Sequence, residues 1–226
     1  MFTVTEAWKA AYPDAHAGIL VMQNVQNPST HLELESRKKE LEAQLRTQYS
    51  GQDRKAIESI STITAYNAYY RQFKKTYHVQ AQLESILFKD RPIPSVAALV
   101  EAMFMAEIKN LLLTAGHDLD ILQLPVTLNV ASGNEQYTLL RGQAQALKSG
   151  DMFMADQAGV ISSIIYGPDQ RTQITASTRN VLFAVYAPTG VSPDAVEAHL
   201  QDIRDHVLIV SPDAMVDVLQ VFSGNI

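Results

Sequence analysis

Cysteine is absent from the 226-residue chain. That excludes a disulfide framework, a thiolate metal site, an iron–sulfur cluster and a cysteine nucleophile. Long apolar runs are absent as well, none approaching the roughly 18 residues of a membrane span. The opening residues MFTVTEAWKA lack a basic start and an apolar core, so no secretory leader is expected. Positive charge is short: 18 Lys and Arg face 24 Asp and Glu, a net charge of −6. A nonspecific nucleic-acid binder needs a basic surface to displace counterions, and DNA is not an expected partner. No GxSxG elbow, Walker loop, dinucleotide fingerprint or HExxH occurs. Neither a cofactor nor a metal is therefore expected. What remains is 46% hydrophobic and 19% charged, ordinary for a chain that buries a sizeable core. The expectation is one soluble, cytoplasmic domain spanning residues 1–226.

The charge is unevenly placed. Residues 37–91 carry 11 Lys and Arg against 6 Asp and Glu, a balance of +5, which leaves 7 against 18, or −11, elsewhere. Two readings stand: solvated helix faces, or a local platform for a polyanion. Within this stretch Ala56, Ile60, Ile63, Tyr66, Tyr70, Phe73 and Tyr77 recur every three or four residues. They share one face of a helix expected over 53–77. Such a stripe is ordinarily core. The aromatics also interleave with Arg71, Lys74 and Lys75, the residues a nucleic-acid surface would use.

Thr30 and Glu33 have the spacing of a capping box, which predicts a polar helix over 30–48 ended by Ser50 and Gly51. Ser95 is placed to cap the next helix. Its apolar face holds Val96, Leu99, Val100, Met103, Phe104, Ile108, Leu111 and Leu112, and Gly116 is its natural stop. Strand signals begin at Pro125. Val126–Val130 and Gln136–Leu140 read as a hairpin across the turn at Ser132, Gly133 and Asn134. Met152–Met154, Val160–Tyr166 and Val181–Tyr186 are further strands. Ser192 and Ser211, each followed by Pro-Asp-Ala, read as matching helix starts. The sum is an α+β domain, with helices packed around mostly antiparallel sheets.

Two segments carry candidate chemistry. The first is Thr114–Asp120, placed after the apolar helix. At a helix end beside Asp118 and Asp120, His117 would be favoured as the imidazolium, able to bind a hydroxyl, a water or a phosphate. The plainer reading is a capped turn. One His and two Asp without a second ligand cluster do not make a metal site. The second segment is Val160–Thr175. Ser162 and Ser163 interrupt an apolar strand, so at least one hydroxyl points inward and needs a partner. Gly167 permits close approach of a backbone or ligand. Asp169 and Arg171 flank a turn, as a local ion pair or an anion site.

The order of these motifs is PSVAALVEA, GHDLD, GDMFMAD, SSIIYGPDQRT and TASTRNVLFAVYA. It resembles the B3/B4 editing domain of the phenylalanyl-tRNA synthetase beta subunit, in a free-standing form. The resemblance covers residues 75–190. It implies a B3/B4-like fold and a pocket for the aminoacyl end of a mischarged tRNA, which makes tRNA or aminoacyl-tRNA the expected partner. The implied reaction is ester hydrolysis by a positioned water, without a covalent nucleophile. His117 and Asp120 match the family's His and Asp. With Ser163 they are the implied catalytic group. Asn110, Asp118, Ser162, Tyr166, Gly167, Arg171 and Thr172 are the implied substrate-binding group. The family recognises a tyrosine hydroxyl with a glutamate about six residues after a threonine. Counting from Thr178 reaches Ala184, between Phe183 and Val185, where no carboxylate stands. The alternative is a binding module for RNA or a small molecule that keeps the fold without the reaction.

Overall fold

The run from Val181 to Ala187 is apolar at both alternations, so it is stable only where both of its faces are covered. In the computed structural model, which describes residues 1–225, this run is a fully buried inner strand. The first half of the described chain is β1 (Phe2–Val4), α1 (Glu6–Ala11), β2 (His16–Gln23), α2 (Leu32–Gln48), α3 (Arg54–Glu58), α4 (Ser61–Gln72), α5 (His78–Lys89) and α6 (Ala98–Asn110). The second half is β3 (Leu113–Asp118), β4 (Val126–Val130), β5 (Gln136–Thr138), β6 (Ala144–Ala146), β7 (Met152–Asp156), β8 (Gly159–Ser163), β9 (Gly167–Pro168), β10 (Asn180–Ala187), α7 (Pro193–Val210) and β11 (Met215–Ser223). The strands form a sheet ordered β11-β2-β10-β3, another ordered β1-β4-β7-β8-β9, and the small β5-β6 pair. Every pairing is antiparallel except β1 with β4. The α+β expectation holds.

Helix α7 lies on one face of the four-stranded sheet and α6 lies beside it. Gly18 of β2 permits the approach, since a Cβ there would come within 2.6 Å of Val196 Cγ1. Ser192 caps α7 by accepting the Ala195 N–H at 3.2 Å, with Pro193 in the first turn. Such a cap is worth about 1 kcal/mol. The opposite face of the sheet turns toward the five-stranded sheet, where Tyr186 and His117 reach Ser162 of β8.

Several sequence expectations are corrected. His31, not Thr30, caps α2. The helix expected over 53–77 is two helices, α3 and α4, and α5 follows directly. Its aromatic stripe is core, with Tyr66, Tyr70, Phe73 and Tyr77 buried. Ser95 does not cap α6; its hydroxyl accepts from Lys38 Nζ at 2.9 Å. The hairpin expected between Val126–Val130 and Gln136–Leu140 does not form. β4 pairs with β7 and β1, while β5 pairs with β6. Ser211 opens no helix: the chain turns through Ala214 into β11. Alternation fixes which residues share a face, but the strand that pairs with them is set by the whole chain.

The basic stretch is partly neutralised within the fold. Lys38 is 3% exposed and bonds Glu35 at 2.7 Å and Glu101 at 2.9 Å. Arg46 pairs with Asp90 and Arg54 with Glu84. Arg71, Lys74 and Lys75 stay exposed. No helix among the described residues is long and apolar enough to cross a membrane.

Candidate active site

The segment expected to be a loop after α6 is strand β3. Leu111 ends the helix in the left-handed conformation at φ 60°, its N–H bonded to the Glu107 carbonyl at 2.7 Å. Gly116 is therefore not the helix stop. It lies inside an edge strand whose six residues are all buried. Only β10 flanks β3 in the sheet. On the outer edge the Thr114 N–H bonds Glu107 Oε1 at 2.7 Å, and the Asp118 N–H bonds the Thr172 carbonyl at 2.8 Å. Backbone groups of an antiparallel strand point to alternate edges. The Gly116 N–H, between those two, also points outward, and no acceptor meets it among the described residues.

That outer edge opens on a cavity of about 350 Å³. Val100, Met103 and Phe104 of α6 form one wall, with Ile174 nearby. Ala115 and Gly116 border it from β3, Gly167 and Pro168 from β9, and His78 from the start of α5. The polar groups reaching it include Ser163, Tyr186 and Glu107. Glu107 is 2% exposed. Its Oε1 is held by Thr114, and no hydrogen bond engages Oε2 among the described residues. Burial pushes the Glu107 carboxyl up to about 8, against the opposing Thr114 N–H. At neutral pH it is mostly the uncharged acid. A Cβ on Gly116 would come within 2.7 Å of Ile174 Cδ1, so glycine keeps this wall open.

His117 does not line the cavity. Its side chain leaves the strand on the face toward β8 and is fully buried. Nδ1 lies 2.7 Å from Thr172 Oγ1, and Nε2 lies 3.3 Å from Ser162 Oγ. The Thr172 hydroxyl donates to Asp169. It can thus only accept from His117, which puts the proton on Nδ1 and leaves Nε2 to accept from Ser162. Tyr186 OH lies 2.7 Å from Ser162 Oγ and completes the chain. Burial, helped by the Arg171 charge, lowers His117 to about 3. The imidazole is neutral, not the imidazolium that its acidic neighbours suggested.

The other expected residues divide. Ser163 and Gly167 come together at the cavity, where Tyr186, not among the expected residues, joins them. Asp118 accepts the Thr178 hydroxyl at 2.6 Å and the Asp120 N–H at 3.1 Å. Asp120 is exposed and accepts from Asn180 at 2.8 Å. Arg171 makes a two-pronged pair with Asp156 at 3.0 and 2.8 Å. Burial alone would raise Asp156, but the Arg171 bonds outweigh it and hold the carboxyl below its usual range. Asn110 joins His199 and Asp202 of α7, at 3.2 and 2.8 Å. Tyr166 sits outside the cavity with Lys75 Nζ 5.3 Å from its ring centre.

Sequence reasoning passed over Glu107, Tyr186 and the Gly116 amide. Glu107 left a signal: it follows Met103 by four residues and Phe104 by three, so it interrupts the apolar face of α6 with a carboxyl. The Gly116 amide left none, since its freedom follows from β3 being an edge.

Comparison with known proteins gives the same architecture. The sequence profile described as the B3/4 domain matches residues 63–204, slightly wider than the resemblance. An N-terminal fragment of the phenylalanyl-tRNA synthetase beta-subunit from Pyrococcus horikoshii aligns with a TM-score of 0.51 at 12% identity. The alignment covers 98% of this chain and 50% of that one, so this chain spans about half its length, and the likeness is one of fold. A search of curated proteins finds no match. On the extent of the profile and the fold that carries it, the chain belongs to the B3/4 domain family.

Proposed function

We propose that the protein is a deacylase acting in the cytoplasm on tRNA charged with the wrong amino acid. One observation carries the reading: an apolar cavity of about 350 Å³ bordered by a free backbone donor at Gly116 and a buried carboxyl at Glu107. The family and the synthetase-like fold support tRNA as the partner.

In this reading the amino-acid side chain enters the cavity between α6 and β3. Glu107 supplies the polar contact that Ala184 does not. The ester carbonyl lies against the β3 edge, where the Gly116 N–H meets the developing oxyanion. Water attacks the carbonyl carbon, the bond to the ribose oxygen breaks, and a proton passes to that oxygen. The Ser163 hydroxyl, which borders the cavity and accepts the Tyr166 N–H at 3.0 Å, orients the water. His117 acts through its neighbours: it ties β3 to Ser162 and Thr172, and so fixes the Gly116 amide. It is a positioning residue.

The test is turnover of individually mischarged tRNAs by the purified protein. Release of one amino acid class, lost in Glu107→Ala and Ser163→Ala, supports the reading. No release across the whole panel overturns it. A binding module without turnover is the second reading, favoured by the sealing of His117 away from the cavity.

A further inference from the structure

Asp151 is a buried titratable group that the reaction described above leaves unused. It stands just before β7 and is fully buried. Oδ1 accepts the Tyr69 hydroxyl at 2.8 Å, and the Tyr69 oxygen accepts the Met152 N–H at 2.6 Å. Oδ2 is buried as well and has no hydrogen-bond partner among the described residues. A buried polar atom left unpaired is costly and calls for a reason. The register of β7 and β8 points to one. Phe153 faces Ser163, so Asp151, two residues before Phe153, shares that face and stands diagonal to Ser163. Its carboxyl lies against the Ser163 hydroxyl. That hydroxyl borders the cavity and accepts the Tyr166 N–H at 3.0 Å. A serine oxygen accepts two hydrogen bonds and donates one. One acceptor position therefore stays open, and the proton turns to Asp151 or Tyr137, the two oxygens facing it. Tyr137 is a neutral phenol that gives its own proton to the Gly167 carbonyl at 2.8 Å. An ionised carboxylate is the stronger acceptor of the two.

We propose that Asp151 takes up, through Ser163, the proton that the attacking water loses. The inference rests on the deacylation proposed above and supplies the base for it. As the water oxygen bonds to the ester carbon, its proton passes to Ser163 Oγ and the Ser163 proton passes to Asp151. When the bond to the ribose oxygen breaks, the same path in reverse returns a proton to that oxygen. Both side chains end as they began. Asp151 acts through Ser163 and does not meet the substrate, so it is a positioning residue. Burial raises its carboxyl to about 7, against the Tyr69 and Ser163 hydroxyls, which suits a base working near neutral pH. The phenols around it, Tyr12, Tyr69, Tyr70, Tyr137, Tyr166 and Tyr186, are all raised above 10 by burial and stay neutral there. Lys148, three residues before it, donates to the Phe73 carbonyl. His78 and Glu107 also border the cavity, the first lowered below 6.5 by burial and the second raised to about 8.

The experiment is steady-state deacylation of the same panel of individually mischarged tRNAs by the full chain, between pH 5 and pH 9. The wild-type rate is expected to rise with pH through a limb near 7. Asp151→Asn, which keeps the shape of the protonated acid, is expected to lose that limb. Its kcat should fall ~100-fold at pH 8 with KM near wild type. His78 and Glu107 are intact in this variant, so only the limb that disappears belongs to Asp151. Tyr69→Phe removes a hydrogen bond that favours the carboxylate, so its limb should move to higher pH. A merely structural role for Asp151 would not move it. Asp151→Asn tracking the wild type across the pH range overturns the relay and leaves the deacylase standing. An unmoved limb in Tyr69→Phe does the same. An aminoacyl ester trapped on Ser163 and found by mass spectrometry also overturns the relay, because Ser163 would then be the nucleophile. No release by the wild type from any member of the panel ends the deacylase and the relay with it.

Discussion

Glu107 Oε1 accepts the Thr114 N–H at 2.7 Å, so the last turns of α6 grip the outer edge of β3 through a buried carboxyl. Strand pairing leaves that N–H without a ladder partner, and an unpaired buried donor is costly.

The same carboxyl makes stability depend on pH. Its folded value, raised to about 8, lies above the ordinary 4.5. The unfolded chain therefore releases the proton first as pH rises. Stability contributed by the protonated acid is full below pH ~4.5 and is lost on the way to ~8. Asp151, which burial raises to about 7 against the Tyr69 and Ser163 hydroxyls, adds a loss of the same sign. Urea unfolding at pH 5 and pH 8 should show Glu107→Gln gaining ~2–4 kcal/mol on wild type over that interval. Parallel pH profiles for the two proteins would refute the assignment.

His117 behaves oppositely. Its folded value near 3 means that the unfolded chain takes up a proton first as pH falls below ~6.5. Stability is lost from there toward pH 3, and His199, also lowered to about 3 by burial, adds to it. The His117 ring resonances should stay flat between pH 5 and pH 8. His117→Ala removes one hydrogen bond from each of the Ser162 and Thr172 hydroxyls, leaves a void between them, and should cost ~2–4 kcal/mol. Titration of the ring near pH 6 would place it in water.

Gly116→Ala probes the cavity wall. The added Cβ meets Ile174 Cδ1 at 2.7 Å, the end of a flexible side chain. The melting temperature should fall by only a few degrees. Deacylation should fall by ~100-fold, because the added methyl displaces the wall and with it the retained Gly116 N–H, and a misplacement of about 1 Å costs that order. A variant with full turnover would mean that the wall at Gly116 does not border the reacting ester.

Lys38 tests whether the basic stretch is a surface. Lys38→Met leaves Glu101 buried and unpaired and should destabilise by ~3–5 kcal/mol in chemical denaturation. Adding Glu101→Leu should recover most of the loss. A silent single variant would mean that Lys38 is solvated.

Much of this was legible in the residues. The capped start of α7, the apolar stripe of α4 and the buried run of β10 each carry their signal within one element. The motif order from PSVAALVEA to TASTRNVLFAVYA carried the family. Errors gathered where a segment has two local choices. Leu111–Asp118 is apolar enough to prolong a helix, yet a left-handed Leu111 releases it to pair with β10. Val126–Val130 had a ready hairpin partner, yet β7 offers it a longer ladder. Ser211 looks like Ser192 in sequence, but the chain after it is taken up by β2 as an edge strand.

Periodicity and capping residues, being properties of neighbours along the chain, determined which stretches are helix or strand and which face of each is greasy. Which stretch of β3 borders a hollow and which is packed solid was decided only in three dimensions. Ala115 and Gly116 point to opposite faces and both border the cavity, while His117, on the face of Ala115, is buried against Ser162 and Thr172. Only the placement of α6, β8 and β9 around that edge gave Gly116 a cavity and His117 a seal.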